Sequence, residues 1–383
     1  MVHLLLAVIY LSFISLGLPD GLLGAAWPTM YPEMDAPVSY AGIVSMIICI
    51  GTVISSLLSD RMTHRFGAGT VTVFSVAMTA IALIGFSFCD AFWMLCIWAI
   101  PYGLGAGSVD ASLNNYVALH YPSRHMSWLH CMWGVGAAAG PYLMGSILSG
   151  GQHWSDGYLF IGIAQIILST ALLLSLPLWK KADHSDSTEP LPLRSILRIP
   201  GASQVMITFF CYCALEQSAA LWSASYFNLH GGFSADEAAS LGSLFFLGIT
   251  VGRALSGFVT MKLNDISMVR LGFMITAAGI VLLCVPLGRS GAIAGILCVG
   301  LGCAPIYPCM MHATPDHFGA SNSQALMGIQ TASAYVGTAF MPPLFGLIAN
   351  HISISLLGLF LMVMLIFMVL SHRKLTQICS KTA

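Results

Sequence analysis

"LSFISLGLPDGLLGAAW" at residues 11–27 and "FFCYCALEQSAALWSA" at residues 209–224 are apolar stretches of membrane grade, each with one acid inside it, Asp20 and Glu216, 196 residues apart. An ionised acid at a bilayer centre costs about 2.5–3.5 kcal/mol on insertion scales, so such groups face a bundle interior or an aqueous path. The pairing does not stand alone. Gly51, Ser55 and Arg61 in "GTVISSLLSDRM" return 201 residues later as Gly252, Ser256 and Lys262 in "GRALSGFVTMKL". In "YGLGAGSVD" (102–110), Gly103-Leu104-Gly105 returns 197 residues later as Gly300-Leu301-Gly302, which sets Tyr307 opposite Asp110. Gly136, Pro141 and Gly145 return at a shift of 201 as Gly337, Pro342 and Gly346. Glycine and proline are common in membrane helices, so no single match decides the matter. Landmarks kept in order at a near-constant shift do: the chain is a tandem duplication with its seam near residue 190.

A chain that is 57% apolar and only 8% charged cannot hide its apolar surface as a soluble globule of this length. Apolar runs of about 20 residues fall at roughly 3–27, 38–59, 68–89, 92–119, 127–149, 158–179, 202–228, 238–261, 268–287, 291–312, 323–348 and 352–371. The expected fold is therefore an all-α membrane protein with twelve transmembrane helices in two pseudo-symmetric six-helix halves. Residues 1–179 form the first bundle, 180–198 a cytoplasmic linker and 199–383 the second bundle. Within the linker, "KKADHSDSTEPLPLR" (180–194) has the charge and prolines of a flexible connection. Twelve of the fourteen Lys and Arg residues fall in even-numbered loops, the linker or the C-terminus; Arg253 lies inside the eighth span and Arg289 on the opposite side. This positive-inside pattern places both termini in the cytoplasm of a multi-pass protein of the plasma (inner) membrane. The N-terminal run has no Lys or Arg n-region and contains Asp20, so it reads as a retained helix rather than a signal peptide.

The net charge of −1 gives no reason to expect a nucleic-acid partner. The eleven cysteines are an odd number and lie mostly in apolar runs, where cysteine packs as a small hydrophobe. Cys211 and Cys213 lack histidines at ligand spacing, so no metal is expected there.

Of fifteen acids, twelve fit loops or helix ends, and Asp20, Asp110 and Glu216 do not. Removing water from around a carboxylate favours its protonated form, which suits such a group to bind and release a proton. An acid used as hydrogen-bonded glue between helices is the plainer alternative. On one continuous first helix, Asp20 shares its face with Leu16, Gly17, Gly24 and Trp27; on the fourth, Asp110 shares one with Gly103, Ala106 and Asn114. At about 1.5 Å per residue, Asp20 falls in the outer half and Asp110 deeper toward the cytoplasm. These acids and Glu216 are the candidate proton-coupling residues. Trp27, Asn114, His130 and Gln217 are candidates to bind a polar solute, as are Trp222, Tyr307, Gln324 and Gln330. Trp133 and Tyr335 read equally well as packing residues, and His312 as an interfacial residue near a helix end. Prolines 141, 305, 308, 342 and 343 are expected to bend their helices. Asp60, Arg61 and Arg65, after the second span, and Arg253 are candidate gating residues.

Twelve helices as six plus six, a central linker and "SDRMTHRFG" (59–67) resemble the major facilitator superfamily, whose loop motif is G-x-x-x-D-R-x-G-R-R. Asp60, Arg61 and Arg65 stand as that motif has them, while Ser56, Thr63 and His64 replace its two glycines and the first paired arginine. Asp20 on the first helix, "GLGAGSVDASLNNYVA" on the fourth, "YCALEQSAALW" on the seventh and "GRALSG" on the eighth resemble the fucose-permease-like proton symporter group over most of the chain. The resemblance implies that Asp20 and Asp110 handle the proton, with Asp110 one methylene shorter than the Glu of the sugar permease.

The leading expectation is a proton-coupled secondary transporter that imports a small polar solute, a monosaccharide, by alternating access, as a monomer in the lipid bilayer. No cofactor is expected besides the proton as coupling ion. The alternative is a proton-driven exporter of drugs or metabolites, for which "GVGAAAGPYLMG" (134–145) offers a loose Gly-Pro motif. A membrane aspartyl protease would also need two membrane acids, but neither lies in a G-x-G-D context.

Overall fold

The computed structural model describes residues 2–179, 191–285 and 287–382, so that part 180–190 of the expected linker lies outside the described residues. Among the described residues every regular element is helical. In chain order they are α1 (Val2–Gly17), α2 (Leu22–Glu33), α3 (Ala41–Phe66), α4 (Ala68–Ser87), α5 (Phe92–His120), α6 (Ser123–Ser149) and α7 (Trp154–Ser175). There follow α8 (Leu193–Ile196), α9 (Ala202–Leu229), α10 (Ala235–Val259), α11 (Asp265–Cys284), α12 (Gly288–His312), α13 (Thr314–Phe318), α14 (Ala320–Ile348) and α15 (Leu357–Thr382).

Among the described residues eleven stretches are long and apolar enough to cross a membrane. One of these, Ala320–Ser380, is 61 residues long and contains both α14 and α15, which a π turn at Ala349–Ser353 and a 3-10 turn separate, giving twelve spans. This is a multi-pass, all-α membrane protein.

The first span departs from the expectation of one continuous helix. Leu4–Glu33 consists of α1 and α2 joined by a turn at residues 18–21, and Asp20 sits in that turn rather than on a helical face. Pro19 has no N–H to donate and its ring obstructs the preceding turn. The chain there runs on tighter bonds, from Asp20 N–H to the Gly17 carbonyl at 3.1 Å and from Leu22 N–H to the Pro19 carbonyl at 3.2 Å. The helical alignment of Asp20 with Gly24 and Trp27 is therefore lost. Prolines 141, 305, 308, 342 and 343, by contrast, lie inside unbroken helices.

The chain forms two compact units: residues 1–116 with 129–190, and residues 117–128 with 191–383. In the first, glycines let helices meet backbone to backbone. A Cβ on Gly103 of α5 would strike the Ile48 carbonyl of α3, and one on Gly136 of α6 would strike the Ile14 carbonyl of α1. The second unit repeats both crossings at the matching positions. A Cβ on Gly300 of α12 would strike the Phe245 carbonyl of α10, and one on Gly337 of α14 would strike the Phe210 carbonyl of α9. The duplicated glycines thus mark duplicated helix contacts, the packing role small residues have in membranes.

Residues 117–128, which are the end of α5, the turn after it and the start of α6, pack within the second unit. Trp128 donates its indole N–H to the Ala254 carbonyl at 3.3 Å and lies edge-on to Phe258. Ser123 bonds a carboxylate oxygen of Asp265, and His312 bridges the other at 2.7 Å to the Tyr121 carbonyl at 3.0 Å. The interfacial reading of His312 misses this bridge, because nothing in the apolar pattern of α12 marks a partner 191 residues away.

Candidate functional site

The first unit holds two of the three singled-out acids. The turn at Pro19 turns the Asp20 carboxylate toward α6, where the Trp133 indole N–H donates to Oδ2 at 2.9 Å. Close packing sets that approach, since a Cβ on Gly140 would strike the Leu18 carbonyl and one on Gly17 the Trp133 carbonyl. The Asp20 side chain keeps accessible surface, although protein closes round its carboxyl. Asp110, on α5, is only 7% exposed and accepts from the Asn114 amide one helical turn on, at 2.8 Å. The Asn114 carbonyl in turn meets His130 Nε2 of α6 at 3.1 Å. The two acids are within electrostatic reach of each other. Beside them, Ser12, Ser15, Thr79, Tyr102 and Gln165 line a cavity with room for about one water molecule.

The second unit holds the third acid in a different setting. Glu216 of α9 is paired with Arg253 of α10 at 3.1 Å, and both are buried. Tyr212, a turn before Glu216, donates its hydroxyl to the Cys303 carbonyl at 3.1 Å and packs on the Tyr307 ring at 5.6 Å. Two acids are thus held by neutral donors, and the third by a cation.

The expected solute-binding residues divide between the units. Trp27 is buried and its N–H is taken by the Val38 carbonyl at 2.7 Å, while Asn114 and His130 are buried in the chain from Asp110. Trp222 is half-buried and donates to the Pro342 carbonyl at 2.9 Å. Gln330 is fully buried and exchanges hydrogen bonds with Thr314, Tyr307 and Gln324 are buried, and Gln217 is half-buried. Of the gating candidates, Asp60 is half-buried at the end of α3, Arg61 and Arg65 are exposed, and Arg253 is the partner of Glu216. The Trp133 bond to Asp20 escapes a sequence reading, since a tryptophan in an apolar run reads equally well as packing. Arg253 carries the stronger signal, because a lone cation inside a span calls for an anion.

The sequence pattern described as Major Facilitator Superfamily matches residues 9–234 and 218–376. "Bypass of stop codon protein 6" of Saccharomyces cerevisiae is 23% identical over 399 residues, covering 92% of this chain and 78% of that protein. "Tetracycline resistance protein, class H" of Pasteurella multocida is 26% identical over 213 residues, covering 54% of this chain and 50% of that protein. Among solved structures, FucP in the outward conformation superposes with a TM-score of 0.79 at 16% identity over 96% of this chain and 98% of its own. A variant of the same protein, described as the E. coli fucose:proton symporter, gives 0.77 at 14% identity with the same coverage of each chain.

Proposed function

The chain belongs to the Major Facilitator Superfamily, and from that premise we propose that it is a proton-coupled secondary transporter that imports a small polar solute, a monosaccharide, by alternating access. One observation carries the reading: Asp20 and Asp110 are each held by a neutral donor, Trp133 and Asn114, and among the described residues neither carboxylate is in an ion pair. A carboxyl held in this way can gain and lose a proton without stranding a buried counter-charge. Glu216 is different, since its carboxylate is tied to the buried Arg253 charge 3.1 Å away, and we assign it a fixed polar role in its unit. The likeness in fold to a protein described as a fucose:proton symporter is in keeping with proton coupling and the sugar class. A sugar site must satisfy several hydroxyls, each missing partner costing about 1–3 kcal/mol. Gln217, Gln324 and Tyr307 are the groups we assign to that task.

The test is uptake into proteoliposomes under an imposed inward proton gradient. Wild type accumulates a labelled monosaccharide, unlabelled monosaccharides compete and lipophilic cations do not. Asp110→Asn abolishes accumulation and keeps part of the exchange, because an amide mimics the protonated acid but releases nothing. If Asp20→Asn and Asp110→Asn both still accumulate solute, these acids are structural. The second reading, a proton-driven exporter, draws on the tetracycline-resistance relative; gradient-driven movement of a cationic dye in the opposite sense, untouched by sugars, selects it.

A further inference from the structure

Asn114 and His130 form a buried chain with Asp110, with exposures of 0%, 6% and 7%. An ionised carboxylate only accepts hydrogen bonds. Asn114 therefore turns its N–H to Asp110 Oδ1 at 2.8 Å, which directs its amide carbonyl at His130 Nε2, 3.1 Å away. A carbonyl also only accepts, so the imidazole donates from Nε2. Phe13 of α1 meets that ring edge-on, centroids 5.4 Å apart and planes at 84°, packing against it on another side. The other ionisable group near Asp110 is Asp20, in the turn after α1, with the Tyr102 hydroxyl of α5 close to Asp20.

The chain has a direction. With its proton on Oδ2, Asp110 still accepts the Asn114 N–H at Oδ1, but a neutral carbonyl is a weaker acceptor than a carboxylate. The Nε2–H of His130, donating to the Asn114 carbonyl, polarises the amide and strengthens its N–H as a donor to the ionised acid. As long as His130 donates, the three residues fit together best when Asp110 has given up its proton.

We propose that His130 is a positioning residue for Asp110: acting through the amide of Asn114, it sets the pH at which Asp110 releases its proton. This rests on the reading of Asp110 as a proton carrier and gives Asn114 and His130 a task other than contact with the solute. In the release step the Asp110 carboxyl loses one proton to adjacent water, and the hydrogens on His130 stay as they were.

Infrared difference spectroscopy on the purified full-length protein tests this without any solute. The protonated Asp110 carbonyl band is the one that disappears in Asp110→Asn, and its midpoint is followed against pH. His130→Phe keeps a ring against Phe13 but removes the donor, and its midpoint moves to higher pH by about one unit, the scale of a hydrogen bond gained or lost by an ionised group. Asn114→Thr, which cuts the chain in the middle, moves it the same way. His130→Gln, whose amide can donate to the same carbonyl, brings the midpoint back to within a few tenths of wild type. If folded His130→Phe and Asn114→Thr both titrate with wild type, the positioning role is wrong while Asp110 remains a carrier. If no band assigned to Asp110 titrates in wild type, the carrier reading falls and this proposal with it.

Discussion

Glu216 and Arg253 show what one residue can decide. Their side chains are 10% and 4% exposed and lie 3.1 Å apart, so each is the counter-charge that permits the other's burial. Removing one partner of a buried pair leaves an uncompensated charge and costs about 3–5 kcal/mol, whereas replacing both by apolar or neutral groups is often close to neutral. Glu216→Gln and Arg253→Met should each lower the thermal unfolding midpoint in detergent markedly, and the double variant should recover most of the loss. Single variants that melt with wild type would show that the pair does not hold the unit. At this scale the acids themselves were legible, because an Asp or Glu inside a long apolar run stands out by cost alone. Their partners were not. Which side chain of another helix meets Asp20 or Asp110 depends on helix rotation and crossing angle, which apolar spacing leaves open.

The helical elements were legible as spans, and the break in the first of them was not. Residues 3–27 read as one apolar run, and a proline inside a membrane helix is often tolerated, as Pro141 and Pro305 are here. Pro19 differs in that the helix stops at Gly17, just before it, and at that break the Leu18 carbonyl lies against Gly140 and Gly17 against the Trp133 carbonyl. The break, the close α1–α6 contact and the Trp133 bond to Asp20 thus form one device. Gly140→Val should force these helices apart, costing about 1–3 kcal/mol as overpacking does, and should impair proton-driven accumulation beyond what the stability loss explains. Thermal midpoints measured beside proteoliposome uptake check both parts. A variant that melts early but accumulates normally would detach the crossing from the function of Asp20.

At the scale of the whole molecule, the repeat was the most legible feature, because glycine positions kept in order survive where other residues have diverged. The one-sided Lys and Arg distribution makes a matching prediction for orientation. A green fluorescent protein fused after Ala383 should fluoresce in cells, and alkaline phosphatase fused at the same point should stay inactive. The opposite pair of results would invert the topology. The segment 117–128 was the least legible feature of the chain, since it is short, polar and sits between two spans of the first bundle, yet packs in the second unit. That placement bears on the order in which the chain is made. Tyr121 leaves the ribosome 191 residues before the His312 that binds its carbonyl, an interval on the order of 10–40 s at 5–20 residues per second. Ser123 and Trp128 gain their second-unit partners earlier, Ala254 126 residues after Trp128 and Asp265 142 residues after Ser123, and until then the early helices must hold their place in the bilayer without them. The last step that ties residues 117–128 down therefore waits on the synthesis of α12.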